Sequence, residues 1–205
     1  MLFIIVHFIS DKLYSWIIVR MQQSVRNYYQ NMNDTDLAAR NCSTREDAYL
    51  RFIKGVRPMK WSEWWKLQVA TMGDFITKIL VFDNLEIENG FPHTHEDTIF
   101  LPTTVFAKSA EYLCSIIQHE KIHLVQKQKP FETNKVLLEQ KNMQVSHFDW
   151  DENGRRRSNP DINRIIYTDT DGSTISSQFT TDAKTLGDIE DVRDHPYEMM
   201  AYGRV

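Results

Sequence analysis

The segment His119-Glu120-Lys121-Ile122-His123, within SIIQHEKIHLVQ (residues 115–126), decides the architecture of this chain. Apolar residues around it recur at helical spacing, which predicts a helix over residues 105–129. Residues four positions apart on a helix project from the same face, one turn apart. His119 and His123 can therefore direct two imidazole nitrogens to one ion, and Zn²⁺ binds such nitrogens at about 2.0–2.1 Å.

Glu120 stands next to the first of these histidines, in the pattern H-E-x-x-H. It is poorly directed to bind the ion itself, but it can reach a water on the ion and accept its proton. The helix is apolar on several sides, so a purely structural role would have to find partners for two buried histidines and a buried carboxylate. The sequence therefore predicts a Zn²⁺ site at His119 and His123, with Glu120 as the general base.

This helix resembles the active-site helix of the zincin metallopeptidases, which carries H-E-x-x-H. The extended metzincin motif continues with Gly and a third His, whereas His123 is followed here by LVQKQKP. The resemblance is therefore to the gluzincin pattern, in which a Glu from a later helix completes the site. It implies a zinc-dependent peptidase acting on a peptide or protein, with His119, His123 and Glu198 as the metal ligands.

The candidate ligand Glu198 lies in DHPYEMMAY (residues 194–202), where Pro196 suits the first position of a helix. His195 is three residues earlier and on the same face. It is an alternative third ligand, a partner of a ligand or a transition-state donor, or else a helix-terminal residue that is hydrogen-bonded locally. The segments HEKIHLVQ, NPDINRIIY and HPYEMMAY together are also similar to uncharacterised H-E-x-x-H proteins of large DNA viruses and protists, which implies no particular substrate.

Four other side chains are candidates for a supporting role. Tyr167 begins the turn of a predicted hairpin and could stabilise an oxyanion, the alternative being a core or surface tyrosine. His93 and His95 stand in a turn-rich linker; they either line the cleft, since zincins commonly present an edge strand beside this helix, or are exposed. Asp161 is a candidate carboxylate partner for a zinc-binding histidine.

The predicted fold class is α+β: zincin-like and helix-rich, with a small, mostly antiparallel sheet around the central H-E-x-x-H helix. We expect one domain over residues 1–205. Its residues 1–80 form a helical part, and residues 81–205 hold a strand, the H-E-x-x-H helix, a hairpin and the C-terminal glutamate helix. The strand is TIFLP (residues 98–102), and the hairpin covers residues 164–180.

Residues 13–32 show a mixed helical periodicity, and two further helices are predicted in the N-terminal part. Thr44 and Asp47 resemble a capping box that opens a helix, and Gly55 can close it. Ser62 is the expected N-cap of a longer helix whose apolar face extends to Ile79.

Trp61, Trp64 and Trp65 belong to that second helix, which favours core packing, with a binding platform as the alternative. The polar segment of residues 149–161, which contains three consecutive arginines, is predicted to be a solvated loop.

The composition excludes several classes of protein. The chain of 205 residues has 24 Lys+Arg against 28 Asp+Glu, a balance that argues against a nucleic-acid binder with a broad basic surface. Two cysteines cannot form a disulfide framework or a thiolate zinc site, and their scarcity fits a reducing, intracellular compartment. Residues 1–9 are apolar, and we favour a buried first strand or helix there over membrane association.

Two other functions remain open at this stage. The same motif serves a deformylase-like or small-molecule amidase, in which the shape of the pocket decides the substrate. Alternatively, the chain is a catalytically silent domain that the metal stabilises, with the tryptophans and the apolar N-terminus contacting a partner or a membrane.

Overall fold

The structure is a computed structural model that describes residues 23–73, 78–148, 154–175, 178–190 and 195–203, and its fold is α+β as predicted. Residues 23–30 are helical. The other α-helices are α1 (Asp34–Ala39), α2 (Arg45–Gly55), α3 (Trp61–Thr71), α4 (Ala110–Gln128), α5 (Pro130–Lys135) and α6 (Pro196–Ala201). The strands are β1 (Val56–Arg57), β2 (Lys78–Phe82), β3 (His93–His95), β4 (Thr98–Pro102), β5 (Gln144–Phe148), β6 (Ile165–Thr168), β7 (Thr174–Ile175), β8 (Gln178–Phe179) and β9 (Ile189–Glu190).

The largest sheet has four strands in the order β1-β2-β4-β3. It is mixed, because β2 and β4 run parallel while β1 and β3 pair antiparallel with their neighbours. The sheets β5-β6-β7 and β8-β9 are antiparallel. The central strands KILVF and TIFLP are almost continuously apolar, which is typical of strands that are covered on both faces.

The two faces of this sheet belong to two separate hydrophobic cores. One face packs against residues 23–30, α1 and α2 and contributes Leu80, Phe82 and Phe100. The opposite face contributes Ile79, Val81, Ile99 and Leu101 and packs against α3 and α4. The alternation of side chains along β2 and β4 thus divides the domain into layers, and it fixes α4 across one face of the sheet.

The N-terminal part confirms one predicted cap and corrects another. Thr44 accepts a hydrogen bond from the Asp47 backbone N–H at 3.0 Å, and α2 ends at Gly55. Helix α3, however, begins after Lys60 rather than Ser62, because Glu63 accepts from the Lys60 backbone N–H at 2.7 Å.

Helix α3 also stops at Thr71, well before Ile79. Met72 has a left-handed backbone (φ 52°) that closes the helix, and Ile79 lies in β2. The sheet therefore begins within residues 1–80, the part expected to be helical.

The region before α4 also differs from the prediction. The central helix starts at Ala110, where the Ser109 side chain accepts a hydrogen bond from the Tyr112 backbone N–H. Residues Thr103–Ala107 form a separate 3₁₀ turn. The expected linker that holds His93 and His95 is strand β3 at the edge of the sheet.

The tryptophans of α3 are more exposed than core packing requires. Trp61 and Trp65 are 74% and 58% exposed, so the core interpretation is wrong for both side chains. The ring of Trp64 stacks on that of Trp61, with centroids 4.8 Å apart.

Two predictions for the second half of the chain have different outcomes. The hairpin is confirmed next to its turn, where β6 pairs with β7. The turn is closed by a hydrogen bond from the Asp169 backbone N–H to the Ser173 carbonyl. The loop of residues 154–161 is packed rather than solvated, because Ser158 donates to Asp36 and the Asp161 side chain is buried.

The buried first strand or helix predicted for residues 1–9 lies outside the described residues, as does the alternative of membrane association. Among the residues that are described, no helix combines the length and the apolar composition that crossing a membrane requires.

A buried ion network joins α1 to the segment after β2. The Arg40 guanidinium contacts Asp36 and Glu88, each at 2.8 Å, and all three side chains are at most 5% exposed. Burial alone would raise the pKa of Glu88, but the Arg40 charge outweighs it and holds that pKa below its usual value. Arg40 thus holds Glu88 in its charged form, whereas burial outweighs Arg40 at Asp36 and raises the pKa of that carboxyl.

We expect Arg40→Met to lower the free energy of unfolding by about 3–5 kcal/mol, since it leaves two buried carboxylates without their cation. Urea denaturation followed by circular dichroism measures this. The control is Arg26→Met, which removes a half-exposed ion pair with Glu46 and should cost less than about 1 kcal/mol. Equal urea midpoints for the two variants would contradict a stabilising role for the network.

Candidate metal centre

Helix α4 is anchored by a buried stripe that Glu120 interrupts. Leu113, Ile117 and Leu124 face the core from the same side of the helix. Glu120 lies between Ile117 and Leu124 in this stripe, at intervals of three and four residues. A leucine would satisfy packing at that position. A carboxylate that is 2% exposed there is costly unless the site uses it.

His119, His123 and Glu198 converge where α4 meets α6. The two Nε2 atoms are 3.0 Å apart, and Glu198 Oε2 lies 3.4 Å from Nε2 of His119 and 3.5 Å from Nε2 of His123. Zinc bonds of about 2.0–2.2 Å in a tetrahedral arrangement place ligand atoms about 3.3–3.6 Å apart, a range that includes both distances from Glu198, while the distance between the two imidazoles is slightly shorter. These three side chains, which the sequence singled out, therefore have the geometry to hold one ion.

The hydrogen bond of His123 also fits a metal ligand. Its Nδ1 lies 2.8 Å from Gln126 Oε1, so the neutral ring that would bind an ion has its N–H on Nδ1 and its lone pair on Nε2, facing His119 and Glu198. Ligating histidines usually donate their other ring N–H in this way, and that bond fixes both the tautomer and the orientation of the ring. Gln126 in turn donates to the Tyr197 carbonyl at 3.0 Å, so it ties α4 to α6.

Asn159 supports the third member of the cluster. Its side-chain N–H donates to Glu198 Oε1 at 3.0 Å, which leaves Oε2 facing the two imidazoles. Hydrogen bonds from His119 and His123 outweigh burial and hold the pKa of Glu198 well below its usual value. Glu198 is therefore an ionised carboxylate in this arrangement.

Sequence reasoning missed the roles of Gln126 and Asn159. The local signal for Gln126 was its position three residues after His123 on the same helix face. Asn159 gave no local signal, because its contact with Glu198 spans 39 positions of the chain.

His195 is not positioned as the third ligand. It caps α6, where its Nδ1 accepts from the Tyr197 backbone N–H at 3.2 Å, and its Nε2–H donates to the Ile165 carbonyl at 3.2 Å. Both ring nitrogens are thus engaged. Burial lowers the pKa of His195 to about 4, so the neutral ring is the form that makes these two bonds. The local, helix-terminal interpretation describes its contacts.

Tyr167 is also placed away from the cluster. Its buried hydroxyl donates to Asn134 at 2.7 Å and accepts from Asn163 at 2.8 Å, and Tyr167 does not line the cavity beside the cluster. Tyr167 is therefore a core residue, as the alternative interpretation proposed, and it does not face the cavity where an oxyanion would form. The reason is that Tyr167 lies on the inner face of β6, within a small core with Leu137 and Tyr197.

Glu120 has the properties of an unused base. Its side chain is buried, and Oε2 has no hydrogen-bond partner. Burial raises the pKa of Glu120 well above its usual value, and the charges of Asp161 and Glu198 raise it further. A buried carboxylate with a strongly shifted pKa, next in the chain to a histidine of the cluster, is typical of functional sites.

Asp161 supports the edge of the sheet rather than a zinc-binding histidine. It accepts hydrogen bonds from the Thr94 backbone N–H at 2.7 Å and from Lys127 at 3.1 Å. Lys127 also donates to the Thr94 carbonyl at 2.6 Å, so the free edge of β3 is already occupied at this residue. An extended peptide that added to β3 there would have to displace the side chains of Asp161 and Lys127.

The expectation that His93 and His95 are exposed is wrong, since they are 1% and 4% exposed in β3. His93 lines the cavity beside the cluster, as the alternative interpretation proposed, and its Nδ1 bonds the Phe91 carbonyl at 3.0 Å. His95 borders a second, smaller cavity. Nε2 of each ring is buried without a hydrogen-bond partner.

A cavity of about 790 Å³ opens beside the cluster, and His119, Glu120 and Glu198 line it. Apolar side chains form much of its wall; they include Phe91, Ile116, Ile162, Leu186 and Met200. Tyr202, one turn after Glu198, contacts the His119 ring with centroids 4.4 Å apart. The cluster is therefore accessible from a concave, partly apolar space.

Comparisons with protein-family models, with curated proteins and with solved structures find no match to this chain. The function has to be inferred from the geometry and the chemistry of the site.

We expect Gln126→Ala to weaken zinc binding by about 10–100-fold, because His123 loses the acceptor that orients its ring. Competition with a chromogenic chelator measures the affinity. Gln128→Ala, an exposed glutamine of the same helix, is the matched control and should bind zinc like the parent chain. Similar affinities for the two variants would show that Gln126 only joins α4 to α6.

Proposed function

We propose that the protein is a zinc-dependent hydrolase, most consistent with a gluzincin-like metallopeptidase. The proposal is carried by one observation: Nε2 of His119, Nε2 of His123 and Oε2 of Glu198 meet within 3.0–3.5 Å beside the partnerless carboxylate oxygen of Glu120. A zincin-like fold and the resemblance of the H-E-x-x-H helix belong to the same proposal.

His119, His123 and Glu198 would hold Zn²⁺. When bound, the ion supplies a Lewis acid that polarises a carbonyl and makes water a stronger acid. Two neutral imidazoles and one carboxylate leave the loaded centre with a net positive charge, which favours negative charge that develops on a substrate oxygen. Gln126 and Asn159 keep two of the ligands oriented before a substrate arrives.

Glu120 would move the proton. Its Oε2 is free to accept a proton from the attacking water and to return it to the leaving nitrogen of an amide. Burial and the neighbouring carboxylates favour the protonated form of this side chain. Glu120 would therefore readily hold the proton accepted from water until it is passed to the leaving nitrogen. A cation at the cluster would act in the opposite direction and restore the ionised base.

The cavity supports a peptide rather than a single small group as substrate. Its volume of about 790 Å³ lies in the upper part of the range that ligand sites occupy, about 300–1,000 Å³. The apolar wall can accommodate amino-acid side chains on either side of the cluster. The same catalytic groups would also serve an amidase that acts on small molecules, so the choice has to be made by substrate profiling.

We expect Glu120→Gln to keep zinc and to reduce peptide hydrolysis by about 10²–10⁴-fold, because the isosteric amide cannot accept the proton. Metal content is measured by mass spectrometry of the purified chain, and hydrolysis by mass spectrometry of a mixture of unstructured peptides. Glu111→Gln, an exposed glutamate in the first turn of the same helix, is the control and should retain activity.

The outcomes separate the three candidate functions. Zinc binding with cleavage of N-acyl amino acids but no peptides would favour the amidase. Zinc binding with no hydrolysis of either class would favour a metal-stabilised interaction domain. Absence of bound zinc in the parent chain after incubation with the metal would contradict the proposed centre.

A further inference from the structure

A second cavity lies on the other side of the segment that contains Asn159. Its volume is about 370 Å³, and it is bordered by residues from the helical segment 23–30, the end of β3, the end of α4 and the loop of residues 156–164. Its walls are polar, in contrast to the apolar wall beside the zinc ligands. It contains none of His119, Glu120, His123 and Glu198.

The charges around this second cavity are unbalanced. Four cationic side chains line it, Lys127, Arg156, Arg157 and Arg164, against the single carboxylate of Glu96 among the described lining residues. Lys127 is paired with Asp161 at 3.1 Å, so the excess of positive charge that a ligand would contact is that of Arg157 and Arg164. The chain as a whole has a formal charge of −4, so this excess is a local feature.

Two polar atoms at the cavity lack the partners that burial requires, and one of them, Arg157 Nε, is necessarily a donor. Arg157 Nε is buried without a hydrogen-bond partner, and so is Nε2 of His95. The acid near Arg157 is Glu88, which is already paired with Arg40 at 2.8 Å. A buried, unsatisfied polar group is destabilising, and more so when it is charged, so Arg157 Nε indicates a missing acceptor, to which His95 Nε2 can also donate in the tautomer with its proton on that nitrogen.

We propose that this cavity binds a small soluble molecule that carries a phosphate group. A guanidinium presents its N–H groups as a planar fork that matches the oxygens of phosphate. The doubly charged group, with three strong acceptor oxygens, can contact several of these cations at once. A volume of about 370 Å³ is at the lower end for ligand sites and suits a phosphomonoester or a diphosphate.

The test uses the full chain, stripped of metal with a chelator, so that phosphate cannot bind at a zinc ion. Isothermal titration with inorganic phosphate and with pyrophosphate is performed at constant ionic strength, with chloride as the reference anion. We expect saturable binding of phosphate or pyrophosphate, and the same binding in His119→Ala. The second expectation separates this site from the proposed zinc centre.

The variants locate the site. Arg157→Gln should weaken binding at least 10-fold, and Arg164→Gln, at an exposed position of the cavity rim, should weaken it several-fold without affecting folding. Arg26→Gln, a surface arginine that does not line the cavity, should leave binding unchanged. Arg157→Lys should bind more weakly than the parent chain, because it retains the charge but loses the fork.

Several results would overturn the proposal. They are the absence of saturable binding, equal losses in Arg26→Gln and Arg164→Gln, and a preference for citrate over phosphate and pyrophosphate. Binding to vesicles containing phosphatidylglycerol, without binding of free phosphate, would identify a lipid surface and also contradict it.

Discussion

The contact of the Glu198 carboxylate with His119 and His123 is the interaction on which the arrangement of the second half of the chain depends. It brings the short helix α6 against the middle of α4, and the Gln126–Tyr197 hydrogen bond, 71 positions apart in the chain, fixes the approach of the two helices. Without an ion, one carboxylate has to satisfy two imidazoles, and the pKa of His123 is raised by this contact despite burial. A divalent cation bound by these three side chains would replace the direct contacts between the carboxylate and the two imidazoles.

Short-range patterns made part of the site predictable. His119, Glu120 and His123 are fixed relative to one another by the helix alone, so their spacing was enough to place them on one face. Glu198 came from a resemblance to the gluzincin pattern, and the structure brings it to the same cluster. Asn159 lies far from its partner in the chain, and no periodicity could indicate that contact. Tyr167 was misplaced for a related reason, because a turn in the sequence does not show which face of β6 packs inward.

The errors in the fold have a common physical cause. A short apolar run such as KILVF satisfies helical and extended templates alike, and the choice is made by pairing with β4 and by the left-handed Met72 that closes α3. The α+β class was predictable because the long central helix and the hairpin are local. The parallel pairing of β2 with β4 joins segments separated by a strand and two turns. A local sequence pattern therefore could not predict that the sheet is mixed. Exposure of Trp61 and Trp65 likewise depends on which helix face the sheet happens to cover.

Buried polar atoms without hydrogen-bond partners mark the positions where side chains lower the stability of this fold. Glu120 Oε2, His93 Nε2 and Arg157 Nε are all buried without partners, and all three residues line the cavity beside the cluster of His119, His123 and Glu198. Proteins tolerate such groups mainly where function requires them, because apolar residues of the same size would pack at lower cost. Arg157 and Asn159 also border the second cavity, so a single loop forms the wall between the two spaces. That loop is held by Asp36 on one side and by Glu198 on the other, which explains why it is ordered although its composition is that of a solvated segment.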